Sequence, residues 1–273
     1  MQTSNVFHAP RFGAYFKKHI VDNLRLYLMS MVVLVGVLIA IGLIGVFTTS
    51  KREIIDANFV FPFYGILLFG AGLIFAGFSF IQLGDKSRGI DYLLLPASHL
   101  EKFLTTLLIT TVGFLLVYHI AFSAATFIGA GIVSLSRGKH TINGYFPDDL
   151  KNDMTQLYHW WFMAQGIILL GSAYFPKYSV IKTLFAVFII VLLIGIVNIA
   201  FMSILFHGHL MHWAASAPFF GVAIVEHQQV ETYRSVFLES PKWMRDVLYF
   251  FWRFILPPAL WVLAYFRLKD KEI

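Results

Sequence analysis

The sequence has no cysteine, which excludes disulfide frameworks, thiolate zinc sites, iron–sulfur clusters and cysteine nucleophiles together. Charge is nearly as scarce. Only 13% of the 273 residues are Asp, Glu, Lys or Arg, about half the share usual in a soluble domain. That scarcity excludes a water-soluble enzyme, and the 58% hydrophobic content excludes intrinsic disorder. Catalytic signatures are missing as well: there is no G-x-S-x-G, H-E-x-x-H or kinase-type motif. A phosphate-cradling G-x-x-x-x-G-K-[ST] loop is also absent. The nearest stretch, Gly171 to Tyr178, has Pro176 where the second glycine belongs. A cleavable signal peptide is not expected either, because residues 1–25 are too polar and the first apolar run is too long.

What the chain does have is apolar sequence in long runs, with a mean hydropathy of +0.73. A bilayer core about 30 Å thick needs roughly 20 such residues in a helix. Six runs qualify or come close: Leu26–Phe47, Phe59–Ile81, Phe103–Leu135, Leu157–Tyr174, Thr183–Phe206 and Val247–Phe266. The pattern predicts an all-α, polytopic integral membrane protein, a single transmembrane domain over 1–273 with six spans. Six spans put both termini on one side. With that side cytoplasmic, the inner segments carry Arg11, Lys17, Lys18, Arg25, Lys86, Arg88, Lys102, Lys177, Lys182, Arg267, Lys269 and Lys271, which is 12 of the 21 basic residues. The formal charge of +6 is therefore assigned to anionic lipid head groups and not to nucleic acid. The third run is too long for a simple span, so it should project, tilt or break near Gly129 and Gly131.

Two further segments are expected at the membrane without obviously spanning it. Within 6–27, Phe12, Phe16, Ile20, Leu24 and Tyr27 recur at helical spacing opposite Arg11, Lys18, Asp22 and Arg25. This describes an amphipathic helix in the cytoplasmic interface, or else the polar start of the first span. The outer segment 207–245 holds the apolar but Pro218- and Gly221-interrupted stretch Leu210–Leu238. It suits a re-entrant pair of short helices or an ordinary loop packed on the bundle.

The most informative stretch is 84–102, between the second and third runs. Asp85, Lys86, Arg88 and Asp91 precede the apolar Tyr92, Leu93, Leu94 and Leu95; Pro96 then forces a break. Ser98 followed by Glu101 has capping-box spacing, which predicts a helix starting near His99 and running into the third span. Apolar residues at the tip of such a short, rigid element suit docking into a soluble partner, since a solvated hairpin would leave them badly placed.

The run Leu93-Leu94-Leu95-Pro96-Ala97-Ser98-His99-Leu100-Glu101-Lys102-Phe103 resembles the loop after the second span in permeases of type-2 ABC exporters, particularly the group found in Bacteroidetes. The ending Ala264-Tyr265-Phe266-Arg267-Leu268-Lys269-Asp270-Lys271-Glu272-Ile273 is similar to that group's tail, and the layout of spans agrees over nearly the whole chain. The resemblance implies that Asp85, Lys86, Arg88, Asp91, Tyr92, Leu93, Leu94, Leu95, Pro96, Glu101 and Lys102 form the contact region for an ATPase subunit. It also implies a second permease copy or paralogue, ATP and magnesium on the partner ATPase with no cofactor on this chain, and the bacterial inner membrane as location.

Other residues attract attention with weaker patterns. His119, deep in the third run, is an intramembrane ionisable group beside Tyr118; it is either a substrate-path residue or a neutral histidine bonded to another helix. Arg253 in the sixth run either snorkels outward or pairs with an anionic substrate head group. His207, His209 and His212 could ligate a metal, but no carboxylate or cysteine completes the set, so no metal site is assigned. Asp148, Asp149 and Asp153 hint at magnesium–diphosphate chemistry, which needs a second such motif, and a solvated loop is the simpler reading. Gly65, Gly70, Gly72, Ala76 and Gly77 permit close helix packing. The function expected is thus a non-catalytic permease subunit. A membrane scaffold or assembly subunit is the alternative, and a membrane-embedded enzyme a more distant one.

Overall fold

The computed structural model describes residues 7–48, 57–137, 151–205, 216–217, 221–227 and 233–271. The chain divides into two compact units, Met1–Val180 with Pro258–Ile273, and Ile181–Pro257. Four helical stretches are long and apolar enough to cross a membrane, namely Ala9–Ile41, His99–Gly129, Ser179–Ile204 and Lys242–Lys271, and the apolar helix Phe61–Gly77 is shorter. These features fit a membrane protein.

Helix α1 runs unbroken from Ala9 to Thr48. The interfacial segment 6–27 and the first span are therefore one element and not two. Its only proline, Pro10, sits in the first turn, where a missing N–H costs nothing. Asn23 and Ser30 return their side chains to the carbonyls of His19 and Leu26, which bends a helix without ending it. Helix α2 spans Ala57–Gly77, followed by a 3-10 turn at Ile81–Gly84 and the nine-residue α3, Lys86–Leu94.

Helix α4 (His99–Leu108) continues through a π-helical turn at Ile109–Gly113 into α5, Phe114–Arg137. Of the three ways to accommodate this long run, a break near Gly129 and Gly131 is not the one seen, since α5 continues through both; the irregularity lies some twenty residues earlier, at the π turn. Local threonines explain it. Thr110 Oγ1 donates to the Thr106 carbonyl at 2.8 Å and Thr111 Oγ1 to that of Leu107, supplying hydrogen bonds that the widened turn withdraws from its backbone.

Helix α6 covers Lys151–Tyr174 and α7 covers Ser179–Leu205; the turn between them places Tyr178 at φ 58, a left-handed conformation costly for an aromatic residue. Gly84 faces this turn: a Cβ there would lie 2.9 Å from Lys177 Cγ and 3.2 Å from Pro176 Cβ.

In the first unit the helices alternate in direction. Leu38 of α1, Tyr64 and Leu68 of α2, Tyr118 and Phe122 of α5 and Trp161 of α6 form one core cluster. A second cluster joins Phe80, Phe103 of α4, Leu169 and Ala173 of α6, and Ala264 and Leu268 of α9, the helix Leu256–Lys271. The starts of α1 and α4 lie at one end, together with the finishes of α2, α6 and α9. Gly77 of α2 packs against Val180, so α7 begins at that end too.

The second unit departs from the all-α expectation. In 207–245, read as a re-entrant pair or a packed loop, the described residues form an antiparallel sheet of order β1-β2-β3, with β1 at Ser216–Ala217, β2 at Gly221–His227 and β3 at Tyr233–Glu239. The register sets Ile224 opposite Val236 and Glu226 opposite Arg234. Both longer strands are rich in β-branched and aromatic residues, which favours pleated pairing over helix. Helix α8, Lys242–Phe250, then leads through a second π turn, Phe251–Ile255, into α9. Pro257 and Pro258 lack the N–H groups that would continue an α-helical ladder there, which accounts for the distortion.

Candidate functional site at the α3–α4 corner

The 84–102 stretch folds as a braced corner. Ser98 caps α4: its hydroxyl accepts from the Glu101 N–H at 3.3 Å, while Glu101 Oε2 accepts from the Ser98 N–H at 2.9 Å. This is the capping box the spacing predicts, with the helix starting at His99. Glu101 does more than cap. Arg11 Nε donates to Oε2 at 2.7 Å and a terminal Arg11 nitrogen to Oε1 at 2.8 Å; the His8 N–H adds a fourth bond at 2.8 Å. A carboxylate with 0% exposure thus has its charge matched by a guanidinium and its lone pairs filled from α1 and the cap.

Lys102 is 2% exposed, with its ammonium 5.0 Å from the centre of the Tyr92 ring. Burial, with the Tyr15 phenol adding to it, pushes the Tyr92 hydroxyl well above its ordinary pKa. That hydroxyl is buried and has no hydrogen-bond partner among the described residues. Tyr92→Phe should therefore keep the ring beneath Lys102 and raise stability by about 1 kcal/mol, read from the unfolding midpoint in detergent. A loss of stability would show that the hydroxyl is satisfied.

Tyr92, Glu101 and Lys102 consequently face inward, and three residues expected at the contact surface instead hold the corner together. Ile90 (58% exposed) and Leu94 (76%) point outward on α3, with Ser87 on the same face and Gly89 buried against the 3-10 turn. Asp85 and Pro96 are exposed and Leu95 is half-buried. The side chains of Lys86, Arg88, Asp91 and Leu93 lie outside the described ones.

A second polar cluster sits midway along the bundle. His119 Nδ1 lies 2.6 Å from the Leu115 carbonyl, which can only accept, so Nδ1 carries a hydrogen, and Nε2 is hydrogen-bonded to the Tyr158 hydroxyl at 2.6 Å. The Tyr64 hydroxyl reaches Tyr158 at 2.7 Å and His119 at 3.1 Å. His119 is thereby the histidine bonded to other helices, linking α2, α5 and α6. Sequence reading missed the companion clamp: Gln165, fully buried, donates to Thr110 Oγ1 at 3.2 Å and accepts from Trp261 Nε1 at 2.9 Å. A glutamine in a predominantly apolar span was the available signal.

Arg253 belongs to the second unit and His119 to the first. No group of three metal-capable side chains occurs among the described residues; His207, His209, His212, Asp148 and Asp149 lie outside them, and Asp153 is exposed in the first turn of α6. The chain matches no protein-family model, no curated protein and no solved structure.

Proposed function

We propose that the chain is the permease subunit of a type-2 ABC exporter in the bacterial inner membrane, pairing with a second copy or a paralogue and with separate ATPase subunits that hold ATP and magnesium. The observation that carries this reading is the α3–α4 corner: a short helix fixed between a 3-10 turn and a capped helix, presenting Ile90 and Leu94 outward. Exposed apolar side chains on a rigid element are the anchors a soluble partner's groove requires. The alternating helix directions support six passes with both termini on the side of this corner, and Lys177, Lys269 and Lys271 near that end agree with a cytoplasmic assignment.

In this reading, ATP binding draws the two ATPases together. Their movement is received at α3 and passed through the Ser98–Glu101 cap into α4 and through Arg11 into α1.

The test is purification of the tagged chain from its native cells in mild detergent. A stoichiometric ATPase should accompany it, and Leu94→Glu should lower ATPase recovery by about tenfold or more while insertion is unchanged. A preparation with no ATPase, or recovery indifferent to Leu94→Glu, would overturn the permease reading and favour a scaffold.

A further inference from the structure

The π turn Phe251–Ile255 carries one charge among apolar side chains, and all five residues are exposed. The flanking Phe251, Trp252, Phe254 and Ile255 are apolar and exposed around the helix, a surface suited to acyl chains and hostile to an uncompensated guanidinium. Acidic groups nearby do not compensate it: Arg253 has no carboxylate partner among the described residues, and Glu239 is engaged by Arg245 instead. What Arg253 does have is Tyr249, whose ring centre lies 5.6 Å from the guanidinium carbon. Tyr249 precedes Arg253 by one helical turn, so the side chain reaches toward the Lys242 end of the helix.

Depth along the helix gives that direction meaning. The stretch Lys242–Lys271 is long and apolar enough to cross a membrane. Its far end carries Lys269 and Lys271, which suit the head-group level of one leaflet. Arg253 stands eleven residues into this stretch, about 16 Å from its Lys242 end at 1.5 Å per residue. An arginine this close to one end of a span, with its side chain directed toward that end, reaches the phosphate level by snorkelling.

We propose that Arg253, supported by the Tyr249 ring, binds the phosphate of a phospholipid in the leaflet surrounding the Lys242 end of this helix. A guanidinium offers planar, paired donors to phosphate oxygens, and stacking on an aromatic face leaves those donors free. The apolar neighbours cover the acyl chains of the same lipid. This site does not depend on the permease reading, since it needs only a lipid bilayer and this helix.

The experiment is native mass spectrometry of the full-length protein released from detergent containing phosphatidylglycerol, or a glucosyl diacylglycerol that lacks phosphate. The wild-type chain should hold a phosphatidylglycerol adduct whose occupancy falls about tenfold or more in Arg253→Gln. Arg253→Lys, which keeps the charge and guards against misfolding as the cause, should retain a substantial part of it. The glycolipid should show no dependence on Arg253. Equal phosphatidylglycerol occupancy in wild type and Arg253→Gln would overturn the proposal, as would Arg253-dependent retention of the phosphate-free lipid.

Discussion

Glu101→Ala should destabilise the protein by about 3 kcal/mol, because it strands the Arg11 guanidinium and two backbone N–H groups that the carboxylate now satisfies. The cost stays below the extreme for a fully buried pair, since the Arg11 side chain is 24% exposed and water can reach it when its partner is gone. Arg11→Ala leaves the opposite problem, a carboxylate at zero exposure with half its partners missing. Each single variant should be worse than simple loss of a contact, and the double variant should cost clearly less than the sum of the two. Unfolding by SDS titration measures all three. Strict additivity would mean that the pair is not a coupled unit.

The second large effect is steric. A Cβ on Gly72 would lie 2.7 Å from Trp161 Nε1 and 2.9 Å from Phe114 Cε1. Those two rings stack with centroids 5.7 Å apart at 10°, and Trp161 is completely buried, so neither can withdraw without opening the core. Gly72→Val should cost at least about 3 kcal/mol, at the upper end of overpacking penalties. Glycines without such neighbours supply the control: nothing lies within 4 Å of a Cβ at Gly129. Gly129→Ala should be neutral or slightly stabilising, since it only removes backbone freedom from the unfolded chain. A well-folded Gly72→Val protein with an unchanged unfolding midpoint would refute the packing described around Trp161.

Much of this architecture was legible, and the divisions between legible and hidden have physical causes. The α4 start could be read because a capping box is local, confined to Ser98, Glu101 and the turn between them. The helix-linked state of His119 was readable as a class, since an imidazole in a span needs partners, but Tyr64 and Tyr158 are far away in sequence and no spacing names them. The same applies to Arg11, whose bond to Glu101 spans ninety positions.

The two π turns were hidden because they arise where side-chain hydroxyls or tandem prolines unsettle a ladder that hydropathy alone portrays as regular. The sheet is hidden for a different reason. Its apolar run is interrupted by Pro218 and Gly221, breaks that suit a helix pair or a loop equally, whereas the β-branched and aromatic content of 221–227 and 233–239 is the better signal. At α1, the change from mixed to apolar composition near Tyr27 is compatible with two elements or with one, and the structure has one. Composition can change along a helix whose backbone does not.

That continuity has a mechanical consequence. Forty residues of unbroken helix extend about 60 Å, roughly twice the depth of a bilayer core. With its foot fastened at Glu101, α1 is a lever whose arm is the whole thickness of the membrane and more. A tilt of about five degrees at the foot carries the far end sideways by about 5 Å, the height of a full helical turn. A rigid helix held only at its foot would thus turn a small rotation there into a displacement of a whole helical turn at its other end, and the packing of Leu38 in the core is what resists it.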